Sequence, residues 1–268
     1  MEQSSSFALE ITAMAPANTI TAHLKMFVIA DDGQEYAAKG INDGYSEHVL
    51  VPNPDQIPAA EWLCSNLAEI CGLPIPNYKI LLDKNKGDYY FGSRIELACD
   101  KTILNELIWL DRIKNASEQL KKQLWAIHAF DLFIYNIDRH INNYLYVVNR
   151  SNSFDIQAFD FSLSSLVLGW PKEVDLNAFP KNCNTSNSWS YIKKITGVKH
   201  EYTKSALKIL EKLKLIDVSK IKNIFGGMPD QWVNKELKNN LIDWWQSPAR
   251  LSKIDLVIEE IKNESISI

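Results

Sequence analysis

The residues of this chain best equipped for chemistry lie in one short stretch, Asn136-Ile137-Asp138-Arg139-His140-Ile141-Asn142-Asn143, and in the nearby Asp160-Phe161-Ser162. Asp138 to Asn143 reads D-x-x-x-x-N between a helical pattern and a strand pattern, and Asp160 ends the strand that follows. Phosphoryl transfer from ATP uses such a set. One carboxylate orients and deprotonates the acceptor hydroxyl, and oxygen ligands hold Mg²⁺ against the phosphates. In this pattern Asp138 is the candidate base, and Asn143 and Asp160 are the candidate metal ligands. Asp and Asn also populate helix ends and hairpin turns, yet turn chemistry alone does not require this joint spacing. His140 is a poor zinc ligand, because no His or Cys stands at ligand spacing from it.

A set of this kind works only if regular elements position it. Before about residue 97 the pattern is rich in strands. Phe7 to Thr12, His23 to Ala30 and Glu35 to Lys39 form a three-stranded meander with Asp31-Asp32-Gly33 as a hairpin turn, and Tyr78 to Leu82 and Tyr89 to Arg94 form a further hairpin. Between them a helix is predicted from Pro58 to Cys71, with Leu63, Leu67 and Ile70 at helical spacing and Gly72 as its left-handed stop. From Lys101 onward helices dominate: Ile103 to Ile113, then Ser117 to Tyr135 with an apolar stripe of Leu120, Leu124, Ile127 and Phe130. Tyr144 to Val148 and Phe154 to Phe159 form a hairpin embedded among them. Residues 161 to about 200, rich in Ser, Asn, Pro and Lys, are predicted to be a long loop. Helix returns around Thr203 to Leu215, Asp230 to Trp245 and Ser252 to Lys262. The tryptophans mostly fall in helical patterns and read as packing, and the Lys-rich run from Lys204 to Lys222 reads as a solvated helix face.

Composition narrows the classes of function. The 268 residues are 46% apolar and 23% charged, enough to bury a core and too apolar for a disordered chain. With 29 basic and 33 acidic residues the net charge is −4, which offers no electrostatic footprint for direct nucleic-acid binding. The four cysteines, Cys64, Cys71, Cys99 and Cys183, are too sparse for a disulfide framework and read as reduced thiols. The first residues carry neither a basic nor an apolar targeting region, and no run is long enough to span a membrane. A cytoplasmic protein with no membrane partner is expected.

Ordinary protein kinases place His and Arg before their catalytic Asp, whereas here Arg139 and His140 follow Asp138. Asn136-x-Asp138-Arg139-His140-x-x-Asn143 with Asp160 at a strand end resembles the HipA-like Ser/Thr kinases and their relatives in the phosphatidylinositol-kinase superfamily. The resemblance extends more weakly over most of the chain, through Tyr36-Ala37-Ala38-Lys39, Glu61 and Phe91-Gly92-Ser93-Arg94. It implies an α+β, bilobal protein-kinase-like fold, with a β-rich N-lobe over residues 1–97 and a mainly helical C-lobe over 98–268.

The same resemblance implies further site residues. Lys39 ends an apolar strand before Gly40 and would contact the ATP phosphates, although a strand-end lysine can simply be solvated. Glu61 would pair with it; an exposed Glu favouring the helix dipole is the alternative, and Glu47 is a rival partner. The Ala15 to Thr21 segment would cover the phosphates through hydroxyls and backbone amides, since Pro16 and the lack of glycine depart from a Gly-rich loop. Thr19 and Thr21 are candidates for nucleotide contact and for autophosphorylation, or else two β-favouring residues that begin a strand. Adenine contacts are expected from the backbone between Arg94 and Leu97, including Glu96. Arg139 would contact phosphate or fasten the loop through an ion pair, and His140 and Asn136 would support the loop.

The function implied is an ATP- and Mg-dependent kinase acting on a Ser or Thr hydroxyl of a protein. The 161 to 200 segment would contribute to acceptor recognition. Such kinases include toxins of toxin-antitoxin pairs, which implies a separate antitoxin or regulatory protein. A pseudokinase or interaction domain is the alternative outside the enzyme class, and a lipid or small-molecule kinase the alternative within it.

Overall fold

The computed structural model describes residues 8–17, 24, 26–45, 50–96, 106–148 and 154–264. The chain is α+β. Five strands, β1 (Leu9–Pro16), β2 (Met26–Ala30), β3 (Glu35–Lys39), β4 (Tyr78–Asp83) and β5 (Asp88–Arg94), close into a barrel in the order β1-β2-β3-β5-β4. The predicted meander is therefore part of a larger closed sheet. Closure comes from a parallel pairing of β1 with β4, Leu9 opposite Leu81 and Glu10 opposite Leu82, which no local sequence signal announces.

Alternation along the strands decides where Lys39 goes. Val28, Ala30, Tyr36, Ala38, Leu81 and Tyr90 pack in a core of their own. Because successive side chains point to opposite faces, Lys39 and its neighbour across the ladder, Phe91, project from the other face. Phe91 packs there against the main core with Leu63, Leu67 and Ala68 of helix α1 (Ile57–Cys71). Gly92 lies opposite Ala38, and a Cβ at position 92 would come within 2.5 Å of the Leu81 side chain, so only glycine fits. Helix α1 ends at Gly72, whose φ of 71° is the predicted left-handed cap. Ile70 is a correction to the predicted apolar face: it is 42% exposed, and Leu63, Cys64, Leu67, Ala68 and Cys71 form the buried stripe.

Two helices follow, α2 (Glu106–Lys114) and α3 (Glu118–Ile134), the latter capped by the Ser117 hydroxyl, which accepts from the Leu120 N–H at 3.1 Å. Every residue of α3 from Leu124 to Ile134 is buried. It is thus a central helix enclosed on all sides, where the sequence suggested one apolar stripe. The hairpin of β6 (Tyr144–Val148) and β7 (Phe154–Ala158) packs beside it. The predicted long loop is interrupted by a helix, α4 (Asn184–Thr196). Its buried residues are Thr185, Trp189, Ile192 and Thr196, a helical spacing in which two of four are polar, so the apolar signal is weak. The Lys-rich run is likewise two helices, α5 (His200–Leu215) and α6 (Val218–Gly226), divided where the Asp217 carboxylate caps α6. The helix expected from Asp230 begins at Lys235 as α7 (Lys235–Gln246), and α8 (Pro248–Glu264) closes the described chain. Trp109, Trp125, Trp232 and Trp245 are core residues. Cys64, Cys71 and Cys183 are free thiols, and Cys99 lies outside the described residues.

His128 on α3 is buried and stacked on Trp189 of α4, with ring centroids 3.9 Å apart and planes 11° from parallel. Burial, helped by the positive charge of Lys193, lowers its pKa to about 3, so the ring is neutral in the folded protein. The unfolded chain takes up a proton here below its ordinary value of about 6.5, so His128 costs stability as pH falls from there toward 3. Denaturant titrations between pH 7 and 4 should show an acid slope of which up to about 1.4 kcal/mol per pH unit belongs to this residue. His128→Gln should flatten that slope; an unchanged slope would show that the ring is not held neutral.

Candidate active site

Lys39 is the meeting point of the barrel, α1 and the segment after β7. Its Nζ lies 2.5 Å from Glu61 Oε1, 2.8 Å from Asp160 Oδ1 and 2.8 Å from Ser162 Oγ. An ammonium has three N–H donors, and here each finds an acceptor. Glu61 is only 2% exposed, so of the roles open to it the structure selects the lysine partner. Its Oε1 also accepts from the Ser162 hydroxyl at 2.9 Å, and its Oε2 from the Phe161 N–H at 3.0 Å. Glu47 lies outside the described residues.

The cluster binds its charges tightly. Burial works against the Lys39 ammonium, but Asp160 and Glu61 outweigh it and hold the lysine above its usual range. Burial pushes the Glu61 carboxyl up, while Asp160, also opposed by burial, is held well below the carboxylate range by the charge and hydrogen bond of Lys39 and by hydrogen bonds from Ser162. The accessible edge of the cluster is Asp160, whose side chain is 25% exposed. Asp160 has a φ of 58°, a left-handed conformation that Asp tolerates better than most residues.

The loop from Asn136 to Asn143 leaves the end of α3 through Tyr135, itself at a φ of 60°. Arg139 fixes it. The guanidinium is 2% exposed and meets the fully buried Asp131 of α3 in a bidentate pair, Nε to Oδ2 and Nη2 to Oδ1, each at 2.9 Å. Nη1 donates to the carbonyl of Asn143 at 2.7 Å and to that of Phe159. The Tyr144 and Phe161 rings lie 5.4 and 5.1 Å from its central carbon. Of the two roles open to Arg139 in the sequence, this geometry is that of a fastening. Asn136 donates to Asp131 at 2.9 Å and accepts from the Asp138 N–H at 3.2 Å, so it also secures the loop. His140 accepts from the Asn142 N–H on Nδ1 at 3.2 Å, and its Nε2 faces Asp138 Oδ2 at 3.9 Å.

Asn143 and Asp160 start from the same end of the β6/β7 hairpin, where the Phe159 N–H reaches the Asn143 carbonyl at 3.4 Å. Asn143 donates through Nδ2 to the Asp138 carbonyl at 2.6 Å, joining the ends of the D-x-x-x-x-N stretch. Among the described residues no three His, Cys, Asp or Glu side chains gather into a metal site. A site of one carboxylate and one amide oxygen suits Mg²⁺, which takes few protein ligands and fills its shell with phosphate oxygens and water. The Asp160 carboxylate, held ionised beside Lys39 and partly exposed, fits a cation as well. Glu96 is engaged with Arg94 at 3.0 Å, while Thr19, Thr21 and Leu97 fall outside the described residues.

The sequence names Ser162 without a role of its own, and gives none to Asp131, Asn184 or Thr185. Asn184 donates to Asp138 Oδ1 at 2.6 Å, and Thr185 accepts from the Arg139 N–H at 2.8 Å; both belong to the helix that composition presented as loop.

With this geometry in place, comparison with known proteins defines the class. The profile of the HipA-like kinase family matches residues 25–254. The chain belongs to the HipA-like kinase family, and phosphoryl transfer is its reaction class. No curated protein sequence matches it. Among solved structures it is similar to the Helicobacter pylori proinflammatory kinase CtkA, at 18% identity and a TM-score of 0.60, over 97% of this chain and 99% of that one. It also matches HipA of Shewanella oneidensis MR-1, solved with HipB and operator DNA, at 10% identity and a TM-score of 0.45, over 77% of this chain and 58% of that one. The first likeness supports the fold.

Removing one partner of a buried ion pair leaves the other charge stranded. Arg139→Met should lower stability by about 3–5 kcal/mol, read as a shift in denaturant midpoint. Adding Asp131→Leu should recover part of that loss. Additive losses in the double variant would show that the pair is not coupled.

Proposed function

We propose that the chain is an ATP- and Mg²⁺-dependent kinase that transfers the γ-phosphate to a Ser or Thr hydroxyl of a protein. The observation that carries the reading is Lys39, a strand lysine from the barrel bonded at once to Glu61 on α1 and to Asp160 beyond β7. In protein kinases a strand lysine paired with a helix glutamate and a metal-binding Asp assembles around the nucleotide phosphates. The proposed arrangement is bilobal, residues 1–97 against 98–268, with ATP between the two.

In this reading Glu61 and Ser162 hold Lys39 beside the phosphates, and Asp160 and Asn143 are the oxygen ligands of Mg²⁺. The metal, when bound, neutralises charge on the phosphates during transfer. Asp138 accepts the proton of the acceptor hydroxyl. Arg139, through Asp131 and the carbonyls of Asn143 and Phe159, keeps base and metal ligands in one frame. His140 supports the loop from the side of Asp138. Thr19, Thr21, Glu96 and Leu97 belong to the nucleotide cleft in the same proposal, with Thr19 and Thr21 as candidate autophosphorylation sites.

A cytoplasmic toxin with a separate antitoxin partner is consistent with the family, and no described helix is long and apolar enough to cross a membrane. One observation favours a pseudokinase as the second reading: all three Lys39 donors already have protein acceptors. The test is incorporation of label from γ-labelled ATP with Mg²⁺, with and without bacterial lysate. Asp138→Ala should cut the rate by about 10²–10⁴-fold, as loss of a general base does, and Asp160→Asn should abolish Mg²⁺-dependent transfer. Binding of Mg-ATP by calorimetry without transfer to any acceptor would favour the pseudokinase, and transfer to lipid alone would redirect the acceptor assignment.

A further inference from the structure

Among the described residues no Lys or Arg forms an ion pair with the Asp138 carboxylate. The imidazole Nε2 of His140 stands 3.9 Å from Oδ2, and the Asp138 side chain is 30% exposed. What reaches it closely is the side-chain amide of Asn184, which donates to Oδ1 at 2.6 Å. Among the described residues no other hydrogen bond to the Asp138 carboxylate is seen.

Asn184 is the first residue of α4, and its place is not left to chance. The neighbouring Thr185 is buried and docks on the loop by three bonds: its hydroxyl accepts from the Arg139 N–H at 2.8 Å and donates to the Asn136 carbonyl at 2.6 Å, and its N–H reaches the Ile137 carbonyl at 3.2 Å. Trp189, one turn further along α4, stacks on His128 of α3 and fixes the other side of the helix. The start of α4 is thereby fastened to residues 136–139 through Thr185, and its next turn to α3 through Trp189. Asn184 alone points its polar group at the carboxylate.

We propose that Asn184 is a positioning residue for phosphoryl transfer: its amide holds Oδ1 and sets the rotation of the Asp138 carboxylate, leaving Oδ2 to the acceptor. This rests on the reading of Asp138 as the base. In the step it serves, the acceptor hydroxyl gives its proton to Asp138 Oδ2 while its oxygen forms a bond to the γ-phosphorus. The bond from that phosphorus to the β–γ bridging oxygen breaks, and its electron pair leaves with ADP. A carboxylate free to rotate spends part of its time with neither oxygen on the acceptor, and misplacement of a reacting group is costly.

The discriminating variant is Asn184→Asp. It is close to isosteric, and a carboxylate in the first turn of a helix suits the helix dipole, so any role of Asn184 in starting the helix is preserved. The donor to Asp138 is lost and a like charge takes its place. Rates of label transfer from γ-labelled ATP into a fixed bacterial lysate are measured against ATP concentration, with melting temperatures alongside. The maximal rate should fall roughly 10-fold to 100-fold, with KM for ATP and melting temperature unchanged, and Asn184→Gln, which keeps an amide, should retain more activity than Asn184→Asp. A maximal rate within about twofold of the parent, or a parallel loss of rate, ATP affinity and melting temperature, would overturn the inference. Full activity in Asp138→Asn would instead remove the reading on which it rests.

Discussion

Burying the Arg139 guanidinium carries a large electrostatic cost, and much of the site follows from how that cost is met. A charge taken out of water is tolerated only when an opposite charge and further acceptors surround it. Asp131 supplies the charge from the central helix, and the carbonyls of Asn143 and Phe159 supply the remaining acceptors. The geometry that satisfies the guanidinium also puts Asp138 one residue before it, Asn143 at one of its hydrogen bonds and Asp160 one residue beyond another. Two aromatic rings, Tyr144 and Phe161, lie against the group and exclude water from it. A site that must hold several groups to fractions of an ångström gains rigidity from such a hub.

Lys39 repeats the device on the other side of the site. Its ammonium is matched by two carboxylates and a hydroxyl drawn from α1 and from the segment after β7, so the barrel cannot shift against the helices without breaking a buried pair. The helix carrying Glu61 is fastened from outside as well: Lys212 of α5 donates to the Cys71 carbonyl at 2.6 Å, and the Trp62 indole to the Ile224 carbonyl of α6 at 3.0 Å. The pairing of Lys39 with Glu61 is thus supported by contacts at both ends of α1.

The parts of this arrangement that can be read in the sequence are those encoded at short range. Asp138, Asn143 and Asp160 announce themselves because one loop and one hairpin fix their relation. Strand β3 and helix α1 carry clean turn and cap signals around Lys39 and Glu61, but their pairing spans the chain from barrel to helix, and in sequence Glu47 stands as a rival partner. Asp131 is hidden inside an apolar run, where an acidic residue on a fully buried helix gives no hint of its partner. Helix α4 is illegible because threonines fill half of its buried positions, leaving Trp189 and Ile192 too few to show a period. With that helix go Asn184 and Thr185, the residues that reach the loop from a distant part of the chain.

Lys39, the Asp138 to Asn143 loop and Asp160 are proposed to form one nucleotide site rather than three separate structural devices. A crystal structure of the protein with Mg²⁺ and a non-hydrolysable ATP analogue tests this most directly. The triphosphate is expected beside Lys39, with the metal on Asp160 and Asn143 and the Lys39–Glu61 pair intact. A nucleotide bound elsewhere, or a metal that touches neither Asp160 nor Asn143, would contradict it.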